Sequence, residues 1–324
     1  MADTSLADWA VENADKLKLE ATKVTWVDDW LPGFFDYQAK VTVSGHTYFG
    51  RGIASTSVLA FTKAVAEALE RAESAQLDEP WATAAHCTLA EAQANAYFEL
   101  LGIDRAICHH YTGRRLRNLP LEAAGGNFPH NQLSEMLRRN GLELNMAEFR
   151  PAADAKIIGV FVNSARKSHV KGFIKGYGVS PDLKTSISNA IVECMRNVTA
   201  VFLGDIKPEE DELACTPYNP RWHFWRAQAK ESLAYLKQVL LPLPGAEPDM
   251  QPEAISINDA RFTEIKGLKS LFPDLPLFFA QARSPKLIRP QFGNFVPDEA
   301  TIERLITFNG GPIDIKTDIP HFYG

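Results

Sequence analysis

Two parts of the chain alternate apolar and polar positions, and each part predicts a β-hairpin. In residues 37–52, Ala39, Val41 and Val43 alternate with polar side chains and lead into a Ser-Gly turn. The stretch AKIIGVFVNS and the later stretch IKGYGVS make up the second pair of strands. Alternation with a period of two places successive side chains on opposite faces of a strand, and small turn residues between two such runs close a hairpin.

Other stretches repeat apolar residues every three or four positions, which is typical of an amphipathic helix. Residues 4–20 show this pattern, with Thr4 or Ser5 as the candidate N-cap. A later helix is predicted over residues 222–240, and the proline-rich stretch LLPLPGAEPDMQPEA after it is a predicted connector. We expect the final third, around FFAQARSPKLIRPQFGNFVP, to be rich in strands. The chain is therefore predicted to be a mixed α/β (α+β) protein.

Composition narrows the class of protein. The chain has 324 residues, 45% of them hydrophobic and 23% charged, which is enough for one large core or two domains. Its net charge of −6 argues against a nucleic-acid-binding surface. The four cysteines lack CxxC spacing, and the chain shows neither a signal-peptide pattern nor an apolar run of the ~20 residues that a membrane span needs. We expect a soluble, cytoplasmic protein with reduced thiols that contacts no membrane.

One pattern occurs three times at fixed spacing. Each copy begins with two small residues separated by one position, continues with a small residue eight positions later and another four further on, and ends three positions beyond that with a glutamate. The opening pairs are Gly50 and Gly52, Ala82 and Ala84, and Gly176 and Gly178. The residues that follow are Ala60, Ala64 and Glu67, then Ala92, Ala96 and Glu99, then Ser186, Ala190 and Glu193.

These offsets place two small residues and one acid on a single face of a helix, because each helical residue advances about 100° around the axis. Small residues there allow close approach to a strand, and a carboxylate at the end of such a face needs a hydrogen bond, a cation or a metal ion. Three such acids on equivalent helices suggest a shared cavity in which magnesium bridges nucleotide phosphates. Alternatively, each glutamate faces solvent or pairs with a nearby arginine.

The same residues resemble the motifs of a known family. GRG at 50–52 followed by EALER at 67–71 is similar to a glycine-basic-glycine turn before a helix ending Glu-x-x-Glu-Arg. Glu91 and Glu99 keep the eight-residue spacing of a second motif, and Glu193 follows KGYGVS as the acid of a third. The segment IRPQFGNFVP is similar to an Arg/Pro and Phe-Gly segment. On these motifs the chain resembles the YcaO family from about residue 40 to residue 297.

The resemblance implies a YcaO-like fold in which repeated hairpin-helix units surround a central ATP site. It divides the chain into an N-terminal helix and linker at 1–40, a catalytic domain at 41–297 and a tail at 298–324. Expected magnesium ligands are Glu67, Glu91, Glu99 and Glu193. Expected ATP-binding residues are Arg51, Glu67, Glu70, Arg71, Glu91 and Arg196, and expected catalytic residues are Glu99, Glu193 and Arg71. No GxxxxGK[ST] motif offers a conventional nucleotide site.

The implied activity is ATP-dependent activation of backbone amides in a ribosomal precursor peptide, giving azoline rings or a thioamide. Leader-peptide binding or sulfur transfer is expected to need a partner protein, and a homodimer is possible. The chain departs from the family at Gly102 and Ile103, where a Glu-Arg pair is usual, with Asp104 and Arg105 two positions too late on the helix. The tail also lacks proline alternation. These departures leave open a second interpretation, a non-catalytic YcaO-like subunit that binds partners in a modification complex.

Two further groups of residues are of types that can bind ligands, but no motif assigns a function to either. Cys108, His109 and His110, taken with His86 and Cys87, suggest a metal site, but no paired ligand spacing supports zinc and ordinary structural roles are favoured. The basic run Arg114, Arg115 and Arg117 is most simply a solvated surface, although an acidic partner would also fit it.

Overall fold

The computed structural model describes residues 2–25, 27–79, 81–125, 130–164, 172–202, 223, 226–241, 250–291, 295–315, 319 and 321. Cys215, most of the proline-rich connector, Phe292 and Gly293 of the predicted Phe-Gly segment, and Pro320 and Phe322 of the tail lie outside these residues. The chain forms two compact units, which we number 1 and 2. Unit 1 contains residues 1–99 and 260–283, and unit 2 contains residues 100–259 and 284–324.

Unit 1 combines two three-stranded sheets with helices. Its strands are β1 (Glu20–Val24), β2 (Phe35–Val43), β3 (His46–Ala54), β4 (Ala82–His86), β9 (Arg261–Ile265) and β10 (Phe278–Arg283). Its helices are α1 (Ala2–Glu12), α2 (Ala14–Leu17), α3 (Val27–Trp30), α4 (Ser57–Ser74), α9 (Gly267–Leu271) and the first part of α5 (Leu89–Thr112). Labels follow chain order through both units.

The first predicted hairpin is present in unit 1. β2 and β3 pair antiparallel, with Val43 opposite His46, and β1 adds to the other side of β2. Ser44 and Gly45 make the turn with φ of 51° and 83°, the left-handed conformation that a tight two-residue hairpin turn requires. The predicted N-cap at Thr4 or Ser5 is wrong, because α1 already begins at Ala2.

The second sheet of unit 1 is assembled from distant parts of the chain. β10 lies between β4 and β9 and pairs antiparallel with both, so that Ala280 faces Ala84 on one side and Glu264 on the other. The apolar core of the unit contains the buried faces of α1, α4, β2 and β10, including Trp9, Leu69 and Phe279.

Unit 2 contains a four-stranded antiparallel sheet in the order β5-β6-β7-β8. The strands are β5 (Arg117–Leu119), β6 (Leu142–Glu148), β7 (Lys156–Ser164) and β8 (Phe173–Ser180). The helices are the remainder of α5, α6 (His130–Arg139), α7 (Leu183–Phe202), α8 (Lys230–Tyr235), which continues as a wider π-helical turn over Leu236–Leu240, and α10 (Glu299–Asn309). Short 3₁₀ turns occupy Leu121–Ala124 and Ile257–Asp259.

The second predicted hairpin corresponds to β7 and β8, which pair from Lys156 opposite Ser180 to Asn163 opposite Phe173. The predicted later helix ends at Leu240, where the π-helical turn ends, and its predicted start at residue 222 lies outside the described residues. The prediction that the final third is rich in strands is only partly right, because the described residues after β10 contain α10 and no further strand. No helix in the described part of the chain is long and apolar enough to cross a membrane.

Candidate functional site

The first glycine pair brings β3 into backbone contact with α4. A Cβ at Gly52 would lie 2.5 Å from the amide nitrogen of Ala64 and closer still to the carbonyl oxygen of Ala60. A Cβ at Gly50 would meet the backbone of Ala64 and Ala68 in the same way. Only glycine fits at both positions, because real Cβ atoms essentially never approach other heavy atoms below 3.0 Å.

The third glycine pair shows the same arrangement in unit 2. A Cβ at Gly178 would lie 2.8 Å from the amide nitrogen of Ala190 and closer to the carbonyl oxygen of Ser186, and one at Gly176 would lie 2.8 Å from Cα of Cys194. β8 therefore packs on α7 at the sequence offsets by which β3 packs on α4.

The glutamate at the end of each helix face also has the same partner in the two units. Glu67 accepts a hydrogen bond of 2.8 Å from the backbone N–H of Arg51, the residue between the first two glycines. Glu193 accepts one of 2.9 Å from the N–H of Tyr177, which stands between the other two. Both carboxylates are half-buried. Each acid therefore binds a strand N–H, so one of its oxygens is already used.

The middle copy of the pattern differs in its contacts. Ala82 and Ala84 lie on β4, but the N–H of Ala85 donates to Glu70 of α4 at 2.9 Å. The Ser74 hydroxyl of α4 is 2.7 Å from that of Thr83. These contacts of β4 are thus with α4, and a threefold structural repeat stays a prediction.

Three predicted acids of unit 1 influence one another electrostatically. Burial, and after it the charge of Glu99, raises the pKa of Glu70 well above its usual value, and Glu67 adds a smaller effect of the same sign. The N–H of Ala85 and the charge of Arg71 act in the opposite direction. Burial is the largest cause and the electrostatic coupling of the three acids adds to it; a cation bound close to them would favour their ionised forms.

The predicted phosphate-facing arginines are already paired. The guanidinium of Arg51 binds the fully buried carboxylate of Asp36 through Nε at 3.0 and 3.1 Å and through Nη2 at 2.6 Å. Arg71 is exposed and forms an i,i+4 ion pair with Glu67 at 2.6 Å. Arg196 lies half-buried on α7. Of the two paired arginines, Arg71 is the one placed to turn toward a ligand, because an exposed ion pair contributes only about 0–1 kcal/mol.

Glu91 lies in the first turn of α5 and is bound by Thr88, which precedes the helix. The Thr88 hydroxyl accepts from the Glu91 N–H at 3.3 Å and donates to its carboxylate at 2.7 Å. The same carboxylate lies 2.8 Å from Nδ1 of His86. The Thr88 hydrogen bond and then the charge of His86 lower the pKa of Glu91. The Thr-x-x-Glu spacing is a sequence signature of a helix N-terminus.

A buried lysine next to Glu193 was not anticipated from the sequence. Lys175 of β8 is 2% exposed, and burial lowers its pKa to about 7 against the opposing attraction of Glu193. Its ammonium also lies 5.3 Å from the centre of the Tyr177 ring. A lysine that titrates near neutrality can exchange a proton at physiological pH.

Gly102 does not break α5, which is continuous from Leu89 to Thr112. Asp104 and Arg105 lie completely buried in unit 2 and bind each other at 2.5 Å. Arg304 of α10 donates to Asp104 at 2.7 and 2.9 Å, and Glu253 binds both arginines. Burial opposes ionisation, but Arg304 and Arg105 hold the pKa of Asp104 below its usual value. Both residues are committed to this network and do not replace the missing Glu-Arg pair.

The Cys108, His109 and His110 group has structural partners. His109 binds the Arg114 carbonyl through Nδ1 at 2.7 Å and accepts from the Arg150 N–H through Nε2 at 2.9 Å. His110 Nε2 lies 2.6 Å from the carbonyl of Ile319. These ring nitrogens bind backbone atoms, as the favoured structural interpretation predicts.

No known protein-family profile matches the chain, and no curated protein sequence matches it. Solved structures do. A YcaO from Methanopyrus kandleri, bound with AMPPCP and Mg2+, aligns with a TM-score of 0.59 at 13% identity over 91% of this chain and 95% of its own. A heterocyclase in complex with substrate and cofactor gives 0.63 at 14% identity, over 97% of this chain and 57% of its own. The E. coli microcin synthetase McbBCD complex gives 0.56 at 10% identity, over 78% and 85%. The chain has the YcaO fold, as the motifs in its sequence predict.

Proposed function

We propose that the chain is an ATP-dependent enzyme that activates backbone amides of a ribosomal peptide. Burial and then the charges of Glu99 and Glu67 raise the pKa of Glu70. This coupling of three acids, in a fold shared with a YcaO bound to AMPPCP and Mg2+, is the observation that carries the proposal. Glu91 and Glu193 complete the proposed acidic set, and Arg51, Arg71 and Arg196 are the proposed phosphate-binding residues.

The donor chemistry of unit 1 fits magnesium. Mg2+ prefers carboxylate oxygens, keeps several waters and binds through one or two carboxylates together with substrate phosphates, so it needs no closed protein cage. Burial and then the charges of Glu99 and Glu67 raise the pKa of Glu70, and a divalent cation close to it would favour its ionised form. Glu67 keeps its second oxygen on the exposed Arg71.

The protein's residues contribute to the proposed reaction by positioning the reacting groups and by neutralising charge on the phosphates. When bound, Mg-ATP supplies a phosphoryl group to the amide oxygen, which makes that oxygen a better leaving group. Catalysis of phosphoryl transfer rests mainly on positioning and on neutralisation of charge by metal ions and basic groups. Arg71 can leave Glu67 to meet phosphate charge. Lys175, with its pKa of about 7, is suited to hold or release a proton near Glu193.

The expected substrate is a precursor peptide, and the expected product is an azoline ring or a thioamide. The similar heterocyclase was solved with substrate and cofactor, and the similar microcin synthetase is a complex. We therefore propose that this chain also acts with a second protein, one that binds the leader peptide or transfers sulfur, in the cytoplasm. A homodimer remains part of the proposal.

A non-catalytic partner subunit is the second candidate function. Two observations favour it: Asp104 and Arg105 are buried in a structural network, and Arg51 is held by Asp36. Such a subunit would keep the fold without nucleotide turnover.

Magnesium-dependent ATP turnover by purified variants separates the two functions. Glu99→Ala and Glu193→Ala should each abolish turnover while far-ultraviolet circular dichroism stays native. Glu135→Ala is the matched control, because Glu135 is a partly exposed glutamate of α6 that pairs only with nearby arginines in the described contacts. Unchanged turnover in both variants would rule out Glu99 and Glu193 as catalytic acids, and absence of nucleotide binding and turnover by the wild-type chain would favour the partner subunit.

A further inference from the structure

Three side chains of different chemistry meet where β4 ends and α5 begins. They are the imidazole of His86, the thiol of Cys87 and the carboxylate of Glu91, and their donor atoms lie within 4.8 Å of one another. The separations are 3.3 Å from Nδ1 of His86 to Sγ of Cys87, 3.8 Å from that sulfur to Oε2 of Glu91, and 2.8 Å from the same oxygen to Nδ1. We propose that this cluster binds a thiophilic divalent metal ion of the Zn2+ class.

The distances are close to those of a metal site. Zinc bonds of about 2.0–2.1 Å to nitrogen, about 2.0–2.2 Å to oxygen and about 2.3 Å to sulfur, at tetrahedral angles, separate the ligand atoms by roughly 3.4–3.6 Å. The two separations that involve sulfur, 3.3 and 3.8 Å, lie on either side of this range. Only the hydrogen-bonded pair of His86 and Glu91, at 2.8 Å, must open, by about 0.6 Å.

Local structure holds the three ligands in place. His86 is the last residue of β4 and pairs with Phe278 of β10. Glu91 is fixed by Thr88, whose hydroxyl binds both its N–H and its carboxylate. The cluster spans six residues within unit 1, so its geometry depends on one strand end and one helical turn.

The solvent exposure of the cluster and the chemistry of its donor atoms indicate which class of ion it would bind. His86 and Cys87 are half-buried and Glu91 is exposed, so an ion can enter from solvent. Three protein ligands leave a fourth position for water or substrate, as in zinc sites with an open coordination position. Thiolate and imidazole favour zinc-class ions, whereas magnesium binds oxygen ligands. The cluster shares Glu91 with the acidic set proposed above, but its thiolate and imidazole donors prefer a different class of ion, and it goes beyond the proposed function. In the absence of metal, the His86–Glu91 pair and the Thr88 cap would satisfy the same groups.

Cobalt titration tests the proposal, because Co2+ occupies zinc sites and absorbs in the near ultraviolet when a thiolate binds it. Reduced full-length chain titrated with cobalt chloride should reach saturation at one equivalent, and added Zn2+ should remove the band. Cys87→Ser should abolish the thiolate band. His86→Gln and Glu91→Gln should each weaken cobalt affinity at least about tenfold, since loss of an outer-shell partner alone costs 10–100-fold. His46→Gln, at an exposed histidine of the β3 turn, is the matched control and should bind as wild type.

Two results would overturn the assignment. One is the absence of a saturable thiolate band in the wild-type chain. The other is a band that survives Cys87→Ser, which would place the metal at another cysteine. Circular dichroism of each variant confirms that the fold is retained, and all three substitutions are at solvent-accessible positions.

Discussion

Replacing Gly52 with alanine tests the close approach that positions Glu67. The new Cβ would lie 2.5 Å from the amide nitrogen of Ala64 and 2.8 Å from Cβ of Lys63. Ordinary contact begins at 3.4 Å, and the Ala60 carbonyl oxygen would be closer to the new Cβ than the Ala64 nitrogen is, so α4 must move away from β3 by at least about 1 Å. The neighbours at Ala60 and Ala64 are backbone atoms and cannot rotate aside.

Overpacking of this kind costs typically 1–3 kcal/mol and occasionally more. We expect Gly52→Ala to lie at the upper end, about 3 kcal/mol, because the clash is with two consecutive turns of helix backbone. The same movement would weaken the hydrogen bond from the Arg51 N–H to Glu67, now 2.8 Å. Gly178→Ala should have a comparable effect in unit 2, where the Cβ would lie 2.8 Å from the Ala190 amide.

Urea unfolding followed by circular dichroism measures the effect. Gly311→Ala is the matched control, because nothing lies within 4 Å of its Cβ position and its φ is not in the left-handed region; we expect it to be neutral or stabilising by up to about 1 kcal/mol. A destabilisation below about 0.5 kcal/mol for Gly52→Ala, with an unchanged denaturant slope, would refute the proposed packing.

Three further outcomes follow from the described contacts. Burial lowers the pKa of His110 to about 3 and of His223 to about 4; both stay neutral when folded but gain a proton when unfolded below about pH 6.5. The free energy of unfolding should therefore fall as pH drops from 6.5 to 5.5, by up to about 1.4 kcal/mol for each, and His110→Phe should reduce this slope in urea titrations. Asp104→Asn should cost about 3–5 kcal/mol in thermal or urea unfolding because it removes one of the two carboxylates, Asp104 and Glu253, that neutralise two buried guanidiniums. Glu135→Gln should change stability by less than about 1 kcal/mol, and equal effects would contradict the buried network. Thr56→Ala removes the hydroxyl that caps α4 by accepting from the Leu59 N–H at 3.3 Å, and a loss of about 1 kcal/mol is expected, with Thr56→Ser retaining stability.

Local pattern was enough to predict the parts of the fold that depend on neighbouring residues. The Ser44-Gly45 turn and the faces of small residues on α4 and α7 follow from residue size and spacing alone. The Thr88-x-x-Glu91 spacing is likewise typical of a helix N-terminus, and the resemblance also implies that Glu91 is a magnesium ligand. The features that were predicted correctly, the turn and the helix faces, are therefore those whose contacting residues lie within about twenty positions along the chain.

The remaining features depend on partners that sequence spacing does not reveal. Asp104 binds Arg304, which lies 200 positions later in the chain, and β4 pairs with β10, which begins nearly 200 residues after it. The partner of Arg51 is Asp36, a diagonal neighbour across the β2–β3 ladder, and a single sequence does not rank it above a phosphate. Charge interactions of this kind become visible only once tertiary packing fixes burial.

Binding of a non-hydrolysable ATP analogue, measured by calorimetry on the full chain, tests the nucleotide site most directly. We expect binding in the presence of Mg2+ and none in excess chelator, and a loss of at least about tenfold, or 1.4 kcal/mol, in the Glu70→Gln, Glu99→Gln double variant. Glutamine at 70 can still accept from the Ala85 N–H, and removing the repulsion should leave the folded state as stable as wild type or more so. Magnesium-dependent binding that is undiminished in this double variant would contradict the assignment of these carboxylates to the nucleotide site.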